Sequence, residues 1–168
     1  MNLKRLFLLI TAFITMSLYA ADSLKTVSFA YDVDFKMNFD NRELYKSAYS
    51  SSMTVFGARI TPSVGVAVRP QAGEEHRVMI GADMMKDFGG TQDRVLEELT
   101  FYYRMQKDLG ETDVALYAGI FPRGRMKGDY SPAFFSDSLL FYDNNLEGIM
   151  LQVSRPKASF ELICDWTG

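Results

Sequence analysis

The sequence contains very few of the residues on which many catalytic sites depend. It has one cysteine, Cys164, and one histidine, His76, among 168 residues. A single cysteine excludes a disulfide framework. A single histidine leaves one candidate for any Ser-His-acid triad, and its place beside a predicted tight turn favours an ordinary surface residue. An enzyme is therefore not expected, and neither a catalytic residue, a metal site nor a cofactor is predicted.

Basic residues and long apolar runs are also scarce. The apolar run at residues 6–18 follows Lys4 and Arg5 and ends at a small residue, Ala20, which is typical of a secretory signal peptide over residues 1–20. Residues 21–168 contain no run near the roughly eighteen apolar residues that a transmembrane helix needs. Two of the 18 basic residues lie in this leader, so residues 21–168 carry 16 basic and 21 acidic side chains. This net negative charge argues against a nucleic-acid partner. We expect one exported domain over residues 21–168.

What the sequence does contain is alternation with a period of two. In residues 27–39 every odd position is apolar and every even position is polar or small. Successive side chains of a strand point to opposite faces, so this pattern predicts a strand with one apolar and one polar face. Six further stretches alternate, the last two less cleanly: residues 53–69, 76–85, 97–106, 113–121, 146–154 and 158–166. The predicted fold class is all-β, an antiparallel up-and-down meander of seven or eight long strands.

The lengths of the strands and of their connections indicate which environment the apolar face contacts. A strand of about thirteen residues at ~3.3 Å per residue, tilted by roughly 45°, rises about 30 Å, which matches the hydrocarbon core of a bilayer. The predicted connections alternate long and short, as in outer-membrane barrels with short periplasmic turns and long extracellular loops. We therefore predict a β-barrel in the cell outer membrane, or an incomplete portion of one, with lipid against the apolar face.

The strand count leaves two interpretations open, because bacterial barrels of this kind usually have an even number of strands. Either residues 134–141 form an eighth strand, or the chain is the N-terminal part of a larger barrel, which we favour. Pro62 falls within the second predicted strand and cannot donate a ladder hydrogen bond. A bulge or kink is expected there.

Three stretches carry a resemblance to known proteins: FGARITPSVGV, FPRGRMKGDYSPAFFSDSLLFYDNNLEG and ELICDWTG. They resemble a largely uncharacterised family of porin-like outer-membrane β-barrel proteins of Gram-negative bacteria, over nearly all of residues 27–168. The resemblance implies an outer-membrane location and passive or selective transport, and it implies no catalytic residue. Members of such families are typically longer than this chain, which fits an N-terminal portion.

Two groups of residues are candidates for a site that passes solutes. Charged residues on the polar face of the strands would line a lumen and set its selectivity: Asp32, Asp34, Lys36, Arg59, Arg69, Asp83, Glu98 and Arg104. The long connection at residues 122–145 carries the second group: Arg123, Arg125, Lys127, Asp129, Tyr130, Asp137 and Asp143. A connection of that length is usually functional or disordered, so it either narrows the lumen from within or packs on itself outside.

The favoured function is porin-like passage of small polar solutes through a charged lumen. Its partners would be outer-membrane lipid and those solutes, and a homo-oligomer stays an open possibility. The alternative is a secreted, soluble β-sandwich that binds a ligand such as a glycan, because a sandwich also buries one face of each strand. In a barrel, arginine at Val64 or Phe101 would meet lipid, whereas arginine at Thr61 or Thr100 would be tolerated in the lumen.

Overall fold

Seven antiparallel strands joined as a meander make up most of the described chain. The computed structural model describes residues 26–43, 45–46, 48, 53–89, 94–131 and 135–166, so the predicted signal peptide at residues 1–20 lies outside the described residues. The strands are β1 (Thr26–Arg42), β2 (Met53–Gln71), β3 (Glu74–Asp87), β4 (Leu96–Asp108), β5 (Asp113–Pro122), β6 (Asn145–Arg155) and β7 (Ala158–Asp165). They form one open sheet in the order β1 to β7. The predicted all-β meander is confirmed.

The connections place long and short segments at opposite ends of the sheet. The β1–β2, β3–β4 and β5–β6 connections share one end, which we call the loop end, and the three tighter connections share the turn end. The β5–β6 connection contains a 3-10 helix, Arg123–Arg125, and a short helix, α1 (Asp137–Tyr142). Ser136 caps α1 by accepting a hydrogen bond from the backbone N–H of Leu139 at 3.1 Å. The eighth strand considered at residues 134–141 is therefore wrong for 137–141, while Phe134 lies outside the described residues.

The bulge expected at Pro62 is not present. Pro62 pairs with Val33 of β1 in an unbroken register. Between β2 and β3 the register shift lies instead between Val68 and Gln71, beside the tight turn. Gly81 allows β3 to approach this part of β2 closely, because a Cβ atom at that position would lie 2.5 Å from the carbonyl oxygen of Pro62. The strands approach closely at this point rather than bending apart.

The outer face of the sheet is apolar and is not covered by other described residues. Six odd-numbered side chains of β1 are 56% to 74% exposed: Phe29, Tyr31, Val33, Phe35, Met37 and Phe39. The ladder continues this band across the sheet through Val64, Ile80 and Phe101, all of them exposed. An exposed apolar surface of this extent marks contact with a membrane or another protein. None of the described helices is long and apolar enough to cross a membrane.

The inner face of the sheet is packed. Its apolar core consists of Ala30, Ala67, Met79, Tyr102, Ala115, Tyr117, Phe121, Leu146 and Met150. Thr61 and Thr100 also point inward and are 3% and 0% exposed, so an arginine at either position would have to displace packed side chains, which argues against the tolerance expected there. No second sheet covers the outer face among the described residues, so the soluble sandwich is not favoured.

Phe101→Arg tests whether hydrocarbon covers the outer face. We expect it to lower the free energy of unfolding by about 2–4 kcal/mol, because a charge then enters the hydrocarbon region. Urea unfolding of the full chain in lipid vesicles measures the change, and Phe101→Leu, which keeps the face apolar, is the control. Equal stability of the two variants would contradict lipid contact at this face.

Candidate functional site

A group of polar side chains fills the inner face near the loop end, and we call it the loop-end cluster: Arg59, Asp83, Glu98, Asn144 and Asn145. Its centre is the ion pair between Arg59 of β2 and Asp83 of β3, whose side chains are 4% and 0% exposed. Nε of Arg59 lies 2.7 Å from Oδ1 of Asp83, and Nη2 lies 2.8 Å from Oδ2. This two-point contact matches the planar guanidinium to the carboxylate and fixes both side chains.

Two asparagines, the first residue of β6 and the residue before it, donate further hydrogen bonds to the carboxylate of Asp83. Nδ2 of Asn144 donates to Oδ2 of Asp83 at 3.0 Å and to Oγ1 of Thr61 at 3.2 Å. Nδ2 of Asn145 donates to the same Asp83 oxygen at 2.8 Å and to Oε2 of Glu98 at 2.7 Å. A buried carboxylate is stable only when its charge and lone pairs are satisfied in this way. Neither asparagine was a sequence candidate.

The connection between β5 and β6 lies against the inner face. Nζ of Lys36 donates to Oδ1 of Asn144 at 2.5 Å and to the carbonyl oxygen of Leu140 at 3.4 Å. Nη1 of Arg59 donates to the carbonyl oxygen of Tyr142 at 3.2 Å and also to that of Phe141. Of the two alternatives for residues 122–145, packing on the inner face therefore fits the contacts of the described residues of this connection.

Arginines of the same connection tie it to both edges of the sheet. Arg125 binds the carboxylates of Asp32 and Asp34 on β1, the second at 3.1 Å. Arg123 is 6% exposed and lies 2.9 Å from Asp143 and 2.8 Å from Asp165 of β7. The carboxylates of these four aspartates therefore neutralise the two arginines of the connection.

The remaining sequence candidates lie outside the loop-end cluster. At the turn end, Arg69 pairs with Glu75, and Arg104 lies over the ring of Tyr117 at 5.7 Å. Three long-loop candidates are exposed: Lys127, Asp129 and Asp137. The hydroxyl of Tyr130 donates to Glu161 of β7. The structure thus separates the predicted lumen residues into a loop-end group and a turn-end pair.

His76 lies on the outer face at the turn end, far along β3 from Asp83. Its Nδ1 is 2.6 Å from the hydroxyl of Tyr103, and its Nε2 is 2.8 Å from Oε1 of Glu74. It is half-buried and held on both sides, which differs from the ordinary surface histidine that was expected. The residues described contain no group of three His, Cys, Asp or Glu side chains that could hold a metal ion.

Two carboxyl groups lie near each other at the loop end. The carboxyl group of Glu98, which accepts from Asn145 at 2.7 Å, lies close to that of Glu147. The two groups can approach because β5 ends at Pro122 and its ladder with β4 ends at Phe101. Glu98 therefore lies beyond the end of β5, next to the start of β6. Two carboxyl groups at such short range can act as base and acid when they share one proton.

Comparison with known proteins identifies the family. A family model described as Lipid A 3'-O-deacylase-type matches residues 21–168. The chain belongs to this family. The lipid A 3'-O-deacylase-type family is of the Gram-negative outer-membrane kind, so the outer-membrane, β-barrel-like character expected from the strands is confirmed at that level. No curated protein and no solved structure matches the chain.

The family corrects one expectation and leaves another unconfirmed. The lipid A 3'-O-deacylase-type family is named for an enzyme, so the expectation that the chain is not an enzyme is wrong. That expectation rested on the scarcity of histidine, yet carboxyl groups supply acid–base chemistry without it. The porin-like function implied by the earlier resemblance is not confirmed.

Asp83→Ala tests the energetic role of the loop-end cluster. We expect the free energy of unfolding to fall by about 3–5 kcal/mol, because Arg59 is left as an unpaired buried charge. Urea unfolding midpoints measure the effect. Asp32→Ala is the matched control, since Arg125 keeps Asp34 as a partner and a much smaller loss follows. Equal losses in the two variants would contradict a special role for the buried pair.

Tyr130 provides a pH test of how the connection is held. Partial burial and the hydrogen bond to Glu161 raise the pKa of Tyr130 to about 12 from 10.0. The folded state favours the neutral phenol, so this stabilisation is complete below pH 10 and is lost as the pH rises through 12. Ultraviolet absorbance of the phenolate, compared with that of Tyr130→Phe, isolates the transition. We expect Glu161→Gln to shift it toward 10.0, and an unchanged midpoint would contradict the assigned contact.

Proposed function

We propose that this chain is an outer-membrane enzyme that hydrolyses an ester-linked acyl chain of lipid A. The observation that carries the proposal is the match of the lipid A 3'-O-deacylase-type family over residues 21–168. The exposed outer face supports it, because a substrate with several acyl chains is presented from the hydrocarbon that such a face contacts. Outer-membrane lipid is then both the surroundings and the substrate class of the protein.

The loop-end cluster is the proposed location of the reaction. With short turns in the periplasm, the loop end lies at the outer leaflet, where lipid A carries its ester linkages. Glu98 and Glu147 are the acid–base pair at that end, and both are partly accessible. Asn145 positions Glu98 by donating to it at 2.7 Å while also donating to the buried Asp83 at 2.8 Å.

The proposed step requires that Glu98 and Glu147 together hold one proton. The ionised carboxylate accepts a proton from water as the water oxygen bonds to the ester carbonyl carbon. The protonated partner donates to the carbonyl oxygen. The carbon–oxygen bond to the sugar then breaks, and the leaving oxygen takes up the proton that the first carboxyl group gained from water. The second carboxyl group takes back the proton on the former carbonyl oxygen, so the products are a fatty acid and a free hydroxyl group and the pair regains its one proton. General acid–base catalysis of this kind contributes about 10²–10⁴-fold in rate.

Porin-like passage of solutes has less support from the same region. Asp83, Phe141 and Asn144 are at most 3% exposed at the loop end of the inner face. Arg59 and Lys36 hold the β5–β6 connection onto them. A packed end of this kind fits a scaffold that fixes catalytic groups better than it fits an open channel.

Mass spectrometry of lipid A tests the function and the assigned residue separately. The full chain in detergent micelles is expected to remove one ester-linked acyl chain from purified lipid A, and Glu98→Gln is expected to lower the rate about 10²–10⁴-fold. Glu97→Gln, one position along the same strand, is the control and should retain the rate. An unchanged lipid A mass with the wild-type chain would overturn the proposed function. Full activity of Glu98→Gln would overturn only the role of Glu98.

A further inference from the structure

One arginine of the 3-10 helix holds the start of β6. The side chain of Arg123 is 6% exposed and contacts two carboxylates. Its Nη2 lies 2.9 Å from Oδ2 of Asp143, two residues before β6, and its Nη1 lies 2.8 Å from Oδ2 of Asp165 in β7. Its Nε donates to the carbonyl oxygen of Asp143 at 3.0 Å. All three guanidinium nitrogens therefore bind residues next to the start of β6.

The backbone of Arg123 adds a contact that reaches the loop-end cluster. Its N–H donates to the carbonyl oxygen of Asn144 at 2.6 Å, which continues the pairing of β5 with β6 by one position. The amides of Asn144 and Asn145 both donate to Asp83. The amide of Asn145 also donates to Glu98 at 2.7 Å. Arg123 therefore fixes the backbone that carries the amide group orienting Glu98.

The backbone of Glu147 is held by β7, close to the second carboxylate that Arg123 contacts. The N–H of Trp166 donates to the carbonyl oxygen of Glu147 at 3.1 Å. Trp166 follows Asp165, which pairs with Gly148 of β6. A Cβ atom at Gly148 would lie 1.9 Å from a backbone carbonyl oxygen of β7, so glycine allows the two strands to approach closely here. By binding Asp165, Arg123 fixes the part of β7 that holds Glu147.

These contacts require the shape of arginine and not only its charge. The planar guanidinium presents five N–H donors in a fixed fork, whereas lysine carries its charge on one nitrogen at the end of a flexible chain. A lysine at position 123 keeps the positive charge but cannot reproduce three contacts made by three separate nitrogens. Replacing Arg123 by lysine therefore separates the effect of geometry from the effect of charge.

We propose that Arg123 is a positioning residue for the carboxyl pair of Glu98 and Glu147, an inference that rests on the function proposed above. Arg123 fixes the start of β6 between β5 and β7 and thereby sets the separation of the two carboxyl groups. Two carboxyl groups hold a single proton over a wider pH range when they lie closer together, because the charge of one opposes ionisation of the other. Arg123 therefore sets the pH range in which the pair is active.

The surrounding charges stay the same when arginine is exchanged for lysine. The other charged side chains next to the pair are those of Asp83, Arg59 and Lys36. All three keep their charge in Arg123→Lys, and so does position 123. A change in the shape of the pH profile then reports the separation of the two carboxyl groups and not a change of charge.

The pH dependence of deacylation separates positioning from stability. The rate of lipid A deacylation by the full chain in detergent micelles is measured across the pH range. For Arg123→Lys we expect the maximal rate to fall by about 10²-fold, since a displacement of about 1 Å can cost that much. We expect the two limbs of the profile to approach each other by about one pH unit. A loss of folded protein alone would scale the whole profile, so an unchanged shape would overturn the proposal.

Arg125→Lys is the matched control, because Arg125 lies in the same 3-10 helix and binds Asp32 and Asp34 of β1 instead. Its profile should keep the wild-type shape. The same narrowing in both variants would overturn the specific role of Arg123. Where Arg123→Lys does not fold, Asp165→Ala removes one partner of Arg123 at a partly exposed position. A narrower profile for this variant would support the proposal, and the wild-type shape would overturn it.

A second measurement tests Arg123 without relying on deacylation. Carbon-13 NMR of glutamate side-chain carboxyl groups follows the titration of Glu98 and Glu147 directly, with the signals assigned from Glu98→Gln and Glu147→Gln. We expect Arg123→Lys to bring the two midpoints closer together. That result in a chain that leaves lipid A intact would overturn the proposed function and support the role of Arg123. Unchanged midpoints in the folded variant would overturn the role of Arg123, whatever the activity.

Discussion

The structure depends on one constraint: neighbouring residues of each strand face environments of opposite polarity, while the backbone of the inner strands, β2 to β6, is paired on both sides. β1 and β2 meet it over an unbroken ladder from Thr26↔Arg69 to Arg42↔Met53. Hydrocarbon offers no hydrogen bonds to backbone groups, so a long unbroken ladder is what a lipid-facing sheet requires. The apolar side chains on one face then leave polar ones on the other, and the chain has to satisfy them internally.

The inner face meets this requirement by pairing charges and adding amides. A buried ion pair gains little net stability unless its remaining hydrogen-bonding sites are satisfied. Around Asp83 this is achieved with Asn144 and Asn145, which donate without introducing further charge. The same amide of Asn145 reaches Glu98, so the groups that stabilise the fold also orient the carboxyl group to which we assign the chemistry.

The fold was predictable from the sequence because the decisive signal is local. A period of two is visible within each strand, and it located all seven strands within a few residues. Arg59 and Asp83 could also be assigned to the polar face from their positions in the alternation. Asn144 and Asn145 could not, because uncharged amides near a loop carry no pattern and their importance depends on partners 61 to 83 residues away.

The scarcity of histidine was a poor guide to function for a related reason. It leaves a single candidate for an imidazole base, but it does not limit carboxyl pairs, whose chemistry depends on how close two side chains come after folding. Glu98 and Glu147 lie on strands that are not neighbours in the sheet, and they meet only because β5 is short at that end. The spacing of these two residues in the sequence does not predict that they lie close together.

The contact of Arg125 with Asp32 and Asp34 has a consequence for the order of assembly. It joins residues separated by 93 and 91 positions, whereas each hairpin of the meander closes between adjacent strands. Contacts at long sequence separation form late, because the chain between them must first be ordered. The sheet can therefore assemble hairpin by hairpin. The β5–β6 connection then packs onto the inner face as the last step, which completes the loop-end cluster after the strands have paired.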